Sequence, residues 1–97
     1  MKILGHFFEG PYSIGKKLID KAAIYVILTS DNHVVDVGQS GETGTRLANH
    51  DRSNCWLRNN GVHFVVKWMS SSRYTEEDRK KLEKSIRNKN NPVCGKQ

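Results

Sequence analysis

Residues 22–38 read AAIYVILTSDNHVVDVG, and the rest of the predicted domain is arranged around this stretch. Residues 22–29 are rich in β-branched and aromatic side chains, which favour β-strands. Residues 30–33 are Ser, Asp, Asn and His, residue types that favour turns, and residues 34–37 resume the strand pattern. The stretch therefore predicts a β-hairpin.

The register of this hairpin decides which side chains meet. With an even number of loop residues, cross-strand pairing puts Tyr25 on the same face of the sheet as Asp36 and Gly38. Further along the chain, residues 62–69 carry apolar side chains at every second position, which predicts a third strand with one face in the core.

Two helices are predicted beside these strands. Residues 39–44 supply a loop with several N-capping residues, and residues 45–51 form a short helix. Arg46 and His50 lie four positions apart on this helix and therefore project from one face. The polar residues 51–61 read as a loop.

The second helix begins at a capping box formed by Thr75 and Asp78, and it ends near Lys89 because Pro92 prevents its continuation. Residues 1–21 carry apolar side chains interrupted by glycine and proline, so we expect an arm packed on the core.

The expected organisation is one domain, residues 22–97, with the arm of residues 1–21 attached to it. Its expected class is α/β, or more narrowly α+β, with a central three-stranded sheet flanked by helices.

The composition favours a polyanionic partner. The chain of 97 residues has 16 Lys and Arg against 10 Asp and Glu, a formal net charge of +6. Nucleic acid is the leading candidate because basic proteins gain affinity by counterion release, although many small proteins are basic without binding any. No apolar run approaches the roughly 18 residues of a membrane span, so a cytoplasmic location without membrane contact is expected.

The two cysteines, Cys55 and Cys94, lack the paired spacing of a zinc site. Reduced thiols are therefore expected. A single disulfide between the two cysteines is the alternative.

The order of these elements and the residues on them resemble the GIY-YIG nuclease family over residues 22–95. Residues 23–25, Ala-Ile-Tyr, stand where the first tripeptide of the family belongs, and residues 36–38, Asp-Val-Gly, stand in place of the second. Arg46 and His50 follow at a spacing similar to that on the family's helix, which bears an arginine and a His or Tyr.

The resemblance implies a metal-dependent DNA endonuclease that hydrolyses phosphodiester bonds. Tyr25 would act as general base or position the attacking water, Arg46 would hold the scissile phosphate, and His50 would orient Tyr25 or the phosphate. Glu83 matches the acidic residue of the family's final helix, ahead of the family's proline at Pro92, and would bind one Mg²⁺ or Mn²⁺ ion. A single carboxylate with waters and phosphate oxygens suits Mg²⁺.

Three positions depart from the family pattern. Ala23 replaces the first glycine, Asp36 replaces the second tyrosine, and Gly95 falls where the family usually has an asparagine. A carboxylate beside Tyr25 opposes phenolate formation unless a cation lies between them, so we expect Asp36 to take part in the site by recruiting or orienting a cation. The alternative function is a catalytically inactive nucleic-acid-binding module that keeps the fold.

Basic side chains outside this constellation are candidates for contacts with the DNA backbone, with a solvated surface charge as the alternative for each. So small a domain has little area for sequence readout, and specificity is expected from DNA structure, from a homodimer or from an additional subunit. The candidates are Lys16, Lys17, Arg52, Arg58 and Lys67.

Overall fold

The computed structural model describes residues 1–95, which form an α+β domain with antiparallel sheets and three helices. Six strands and three helices follow one another in the order β1 (Lys2–Ile3), β2 (His6–Phe7), β3 (Glu9–Ser13), β4 (Ala23–Leu28), β5 (Val34–Ser40), α1 (Thr43–Ala48), α2 (Ser53–Arg58), β6 (His63–Trp68) and α3 (Glu76–Asn90).

The central hairpin is confirmed. β4 and β5 pair antiparallel, with Tyr25 opposite Gly38 and Ile27 opposite Asp36. Tyr25 and Asp36 therefore lie on one face of the sheet, as the sequence predicts. Glycine is required at position 38, because a Cβ atom there would lie 2.3 Å from the Cζ and Oη atoms of Tyr25.

The prediction of a three-stranded sheet is wrong, because the main sheet has four strands in the order β3-β6-β4-β5. The arm supplies the fourth strand, and β3 pairs with the outer edge of β6. Gly10 and Pro11 are disfavoured in strands and interrupt the pattern of residues 9–13, so the sequence did not predict this strand. An edge strand tolerates proline because one row of its backbone N–H groups needs no partner within the sheet.

Both faces of this sheet are buried, whereas the sequence predicts one core face for the strand of residues 62–69. One core cluster contains Ile24, Val26 and Val65 with Ile86 of α3. The other contains Tyr25, Ile27, Val35, Phe64 and Cys94 with Trp56 of α2. Consecutive residues of β4 therefore alternate between two buried surfaces, which explains why residues 23–28 are all buried.

The helices differ most from the prediction in residues 45–61. The capping box of Thr75 and Asp78 is confirmed at the start of α3. The predicted helix over residues 45–51 instead ends at Ala48, which leaves His50 beyond it. Asp20 of the arm caps this helix by accepting hydrogen bonds from the backbone and hydroxyl of Thr45, a contact no local pattern reveals.

Residues 51–61 contain helix α2, and the prediction of a loop there is wrong. α2 has six residues and no side-chain cap, so its local propensity is weak. Burial of Trp56, which is 3% exposed, holds the helix against the sheet.

The prediction of reduced cysteines is also wrong for this structure, in which Cys55 of α2 forms a disulfide with Cys94. Cys94 lies in the tail, residues 91–95, which follows α3. The two residues are 39 positions apart in the chain, and β6 and α3 lie between them, so only the folded chain brings the thiols together. Within residues 1–95, no helix is both long and apolar enough to cross a membrane.

Candidate active site

Tyr25 and His50 form the centre of the candidate site. The Tyr25 hydroxyl lies 2.6 Å from Nε2 of His50, and both side chains are buried. Tyr25 is fixed by its place in the central strand β4, and His50 is placed by the end of α1. The two side chains therefore meet although His50 lies beyond the end of α1.

The backbone of Arg52 favours one tautomer of His50, against the carboxylate of Asp51, whose Oδ1 lies 3.3 Å from Nδ1 of His50. Its N–H group donates to Nδ1 of His50 at 3.1 Å, which requires an unprotonated Nδ1. A neutral His50 then carries its proton on Nε2 and donates it to the Tyr25 hydroxyl oxygen. Tyr25 is thus an acceptor in this bond, and its own proton remains available for transfer.

Burial and positive charge keep His50 neutral. Burial, with smaller effects of the guanidinium groups of Arg46 and Arg52, lowers the pKa of His50 to about 4 against the opposing effect of nearby carboxylates. Arg46 is held beside the pair by Asp51, whose carboxylate accepts from Nη2 at 2.7 Å. The imidazole is therefore a hydrogen-bond donor through Nε2 and carries no net charge at neutral pH.

The same environment acts on Tyr25 in two directions. The net effect raises the pKa of Tyr25 to about 12, because burial outweighs the positive charges of Arg46 and Arg52, which lower it. Asp36 raises it in turn. The phenol is neutral at pH 7, and the two guanidinium groups together with the His50 donor would stabilise the phenolate once it forms.

Asp36 stands at the centre of a second set of contacts. Its side chain is fully buried, and Oδ2 accepts hydrogen bonds from Nε of Arg52 and Nε1 of Trp56, both at 2.7 Å. Oδ1 accepts from the backbone N–H of Val37 at 2.8 Å and from Nη2 of Arg87 at 2.6 Å. Asp36 therefore forms ion pairs with two arginines, Arg52 and Arg87.

These contacts link the two ends of the site. Arg52 connects Asp36 to His50, since its guanidinium binds the carboxylate and its backbone binds the imidazole. Arg87 connects Asp36 to Glu83, whose Oε2 accepts from Nε at 3.3 Å. A continuous hydrogen-bonded network therefore runs from Tyr25 to Glu83 across the edge strand β5.

Glu83 lies at the solvent end of this network, on a cavity of about 570 Å³ between α3 and the tail. Lys80, Lys84 and Arg87 line the same cavity, together with Asn88. The surroundings are basic, which suits a phosphate better than an isolated cation.

The residues around Glu83 fit a divalent ion only in company with phosphate. One carboxylate and the amide oxygen of Asn88 are hard oxygen donors of the kind Mg²⁺ accepts, with waters and phosphate oxygens as its other ligands. The positive charge of Lys80 and Lys84 opposes a bare cation, and bound phosphate would offset it. In residues 1–95 no group of three or more His, Cys, Asp or Glu side chains could hold a metal ion by itself.

The predicted DNA contacts divide into three groups. Lys16 and Lys17 line a cavity beside α1 and α2. Arg58 is exposed at the end of α2. Arg52 forms an ion pair with Asp36, and 28% of its side chain is exposed. Lys67 pairs across the sheet with Ile24, and its side chain therefore lies on the face opposite Tyr25.

Sequence reasoning missed two members of the network. They are Arg87 of α3, four positions after Glu83, and Trp56 of α2. A buried carboxylate needs charged or hydrogen-bonding partners, and that requirement was the one available signal that Asp36 would have such residues around it.

Comparison of the chain with protein-family models, curated proteins and solved structures finds no significant match.

Proposed function

We propose that the chain is a metal-dependent DNA endonuclease of the GIY-YIG type. The observation that carries this proposal is the Tyr25–His50 pair at 2.6 Å, flanked by Arg46 and Arg52. A buried network of ionisable groups costs desolvation free energy, and such networks concentrate at functional sites.

In the proposed reaction, Tyr25 first loses its proton to solvent, and the resulting phenolate is the general base. The phenolate takes a proton from the attacking water as the water oxygen bonds to phosphorus and the bond from phosphorus to the 3′ oxygen breaks, and solvent protonates the leaving oxygen. His50 donates to the phenolic oxygen throughout and so favours the phenolate form of Tyr25. Arg46, which has 38% of its side chain exposed, binds the scissile phosphate and stabilises its developing charge. An ion on Glu83 would supply further charge neutralisation at the phosphoryl and leaving oxygens.

Nicking of supercoiled plasmid in Mg²⁺ or Mn²⁺ tests the proposal. We expect the natural chain to nick, and Tyr25→Phe and Glu83→Gln to lower the rate at least about a hundredfold each. Tyr12→Phe and Glu77→Gln are matched controls, because both lie away from the network, and should retain full activity. Equal rates for Tyr25→Phe and Tyr12→Phe would contradict catalysis at this site.

The alternative is a catalytically inactive nucleic-acid-binding module with the same fold. It is favoured by the burial of Tyr25, which is 1% exposed and whose pKa is raised to about 12 by that burial. It is also favoured by the pairing of Glu83 with Arg87. Salt-sensitive DNA binding without nicking in either metal would select this function over the first.

We also propose a cytoplasmic location, where DNA is accessible. The Cys55–Cys94 disulfide of the structure counts against this location, because a reducing compartment would hold both cysteines as thiols. Rapid alkylation of both cysteines in freshly lysed cells would agree with this location. Protection of both, with alkylation only after a reductant is added, would contradict it.

A further inference from the structure

A second cavity, of about 450 Å³, opens on the same face of the sheet as Tyr25. This volume falls in the roughly 300–1,000 Å³ range of small-ligand sites. Its walls are largely apolar, with Leu47 of α1, Trp56 and Leu57 of α2, and Phe64 of β6. Leu57 is 78% exposed, an apolar side chain left in water at the cavity mouth.

The polar groups of this cavity carry one sign of charge. Lys16 and Lys17 of the arm line it, and none of its described lining residues is acidic. Ser53 and Asn54 add a hydroxyl and an amide. Apolar walls, hydrogen-bonding groups and a cationic rim together match the chemistry of a nucleobase joined to phosphate, by shape and by charge complementarity.

The cavity borders the candidate active site through Trp56. The indole ring packs on the imidazole of His50 with ring centroids 4.3 Å apart, and its Nε1 donates to Asp36. On α1, Arg46 of the active site immediately precedes Leu47 of the cavity wall. A nucleotide in the cavity would therefore adjoin the residues proposed to hold the scissile phosphate.

We propose that this cavity binds the unstacked base of an unpaired nucleotide, with an adjacent phosphate on Lys16 and Lys17. A base inside a duplex is stacked and paired, so only a single-stranded or extruded nucleotide can enter an apolar cavity. The substrate class is therefore nucleic acid with unpaired nucleotides beside the cleavage position. This inference rests on the proposed nucleic-acid function and does not require cleavage.

Fluorescence anisotropy in EDTA tests the inference with three labelled probes: a short oligothymidylate, an oligonucleotide of equal length made only of abasic sites, and a duplex containing the same strand. We expect the base-bearing single strand to bind at least about tenfold more tightly than the abasic strand. It should also bind more tightly than the duplex. Affinities for the base-bearing and abasic strands within about twofold would overturn the inference.

Leu57→Ser tests the cavity itself. We expect it to weaken binding of the oligothymidylate about fivefold without changing binding of the abasic strand. Phe7→Ser is the matched control, because Phe7 is 71% exposed and does not line the cavity. Both substitutions replace an exposed side chain, and circular dichroism verifies that each variant folds. Equal losses in the two variants would overturn the assignment of the base to this cavity.

The experiments distinguish failure of the nuclease proposal from failure of the base-binding cavity. Preference for base-bearing single strands with no plasmid nicking would refute the nuclease and support the cavity. Nicking that is lost in Tyr25→Phe, together with equal binding of abasic and base-bearing strands, would support the nuclease and refute the cavity.

Discussion

Asp36 is a buried carboxylate, and the residues around it balance its charge. Arg52 comes from the start of α2 and Arg87 from the last turn of α3, so two elements depend on one carboxylate. Both guanidinium groups keep part of their surface in water, at 28% and 20% exposed. The charge therefore serves to position other residues and makes no direct contact with Tyr25.

Asp36→Asn should lower the free energy of unfolding by about 3 kcal/mol, at the lower end for breaking a buried ion pair because both arginines reach solvent. Urea unfolding measures this loss. Asp51→Asn is the control, since Asp51 pairs with Arg46 at a carboxylate that is 69% exposed, and it should cost less than about 1 kcal/mol. Equal losses in the two variants would contradict the role given to Asp36.

Nicking should also respond to Asp36. If Asp36 positions Arg52 beside Tyr25, Asp36→Asn should lower the nicking rate at least about tenfold, or roughly 1.4 kcal/mol of transition-state stabilisation. Asp36→Tyr should not restore activity, because a phenol there cannot bind Arg52 and Arg87 as a carboxylate does. Higher activity in the tyrosine variant than in the natural chain would refute this positioning role.

The depressed pKa of His50 makes stability depend on pH. The folded chain holds His50 neutral down to about pH 4, mainly through burial, whereas an unfolded histidine takes up a proton near pH 6.5. The stability that the folded chain gains by holding His50 neutral is therefore complete above about pH 6.5 and is lost as pH falls toward 4. Urea unfolding across this range should give a flatter profile for His50→Gln, while His33→Gln, an exposed control, should keep the natural slope. An unchanged slope in His50→Gln would contradict the assignment.

At the scale of elements, α2 and the C-terminal tail depend on each other. α2 is only six residues long, and the disulfide from Cys55 ties it to Cys94. The tail also pairs with the edge strand β5, because the Cys94 N–H donates to the Val35 carbonyl at 3.0 Å. Cys94 in turn accepts from Arg87 through its carbonyl at 3.1 Å. The tail is thus bonded both to the edge strand β5 and to Arg87 of the network.

Reduction of the disulfide should lower the free energy of unfolding by about 4 kcal/mol, the loop-closure entropy expected for the 39-residue separation of Cys55 and Cys94. Urea unfolding with and without dithiothreitol measures the difference. A variant with both Cys55→Ala and Cys94→Ala should unfold at the lower stability and ignore the reductant. A natural chain whose unfolding is insensitive to dithiothreitol would contradict the stabilising role.

At the scale of the whole molecule, the charge of +6 predicts how DNA binding responds to salt. Affinity for duplex should fall steeply, with a log–log slope on the order of −4 if about four phosphates are neutralised, and should differ little between unrelated sequences. Lys16→Ala with Lys17→Ala should reduce the slope by about two, whereas Lys67→Ala should leave it unchanged because Lys67 lies on the opposite face. A strong preference for one duplex at all salt concentrations would contradict this prediction.

Local sequence patterns determined the central hairpin and helix α3. The hairpin of residues 22–38 follows from β-branched runs on either side of a turn, and α3 follows from its capping box and the proline behind it. Cross-strand pairing then brought Tyr25 and Asp36 to one face, and the charge of Asp36 required a cation. These conclusions needed only periodicity, capping and electrostatics.

The tertiary structure alone decided the fourth strand, helix α2, the disulfide and the identity of the cations on Asp36. β3 and α2 have weak local propensity and are held by edge pairing and by burial of Trp56. Arg52 and Arg87 lie 16 and 51 positions from Asp36, and Cys55 lies 39 from Cys94. Contacts over such separations depend on how helices and tail pack around the sheet, which no local pattern encodes.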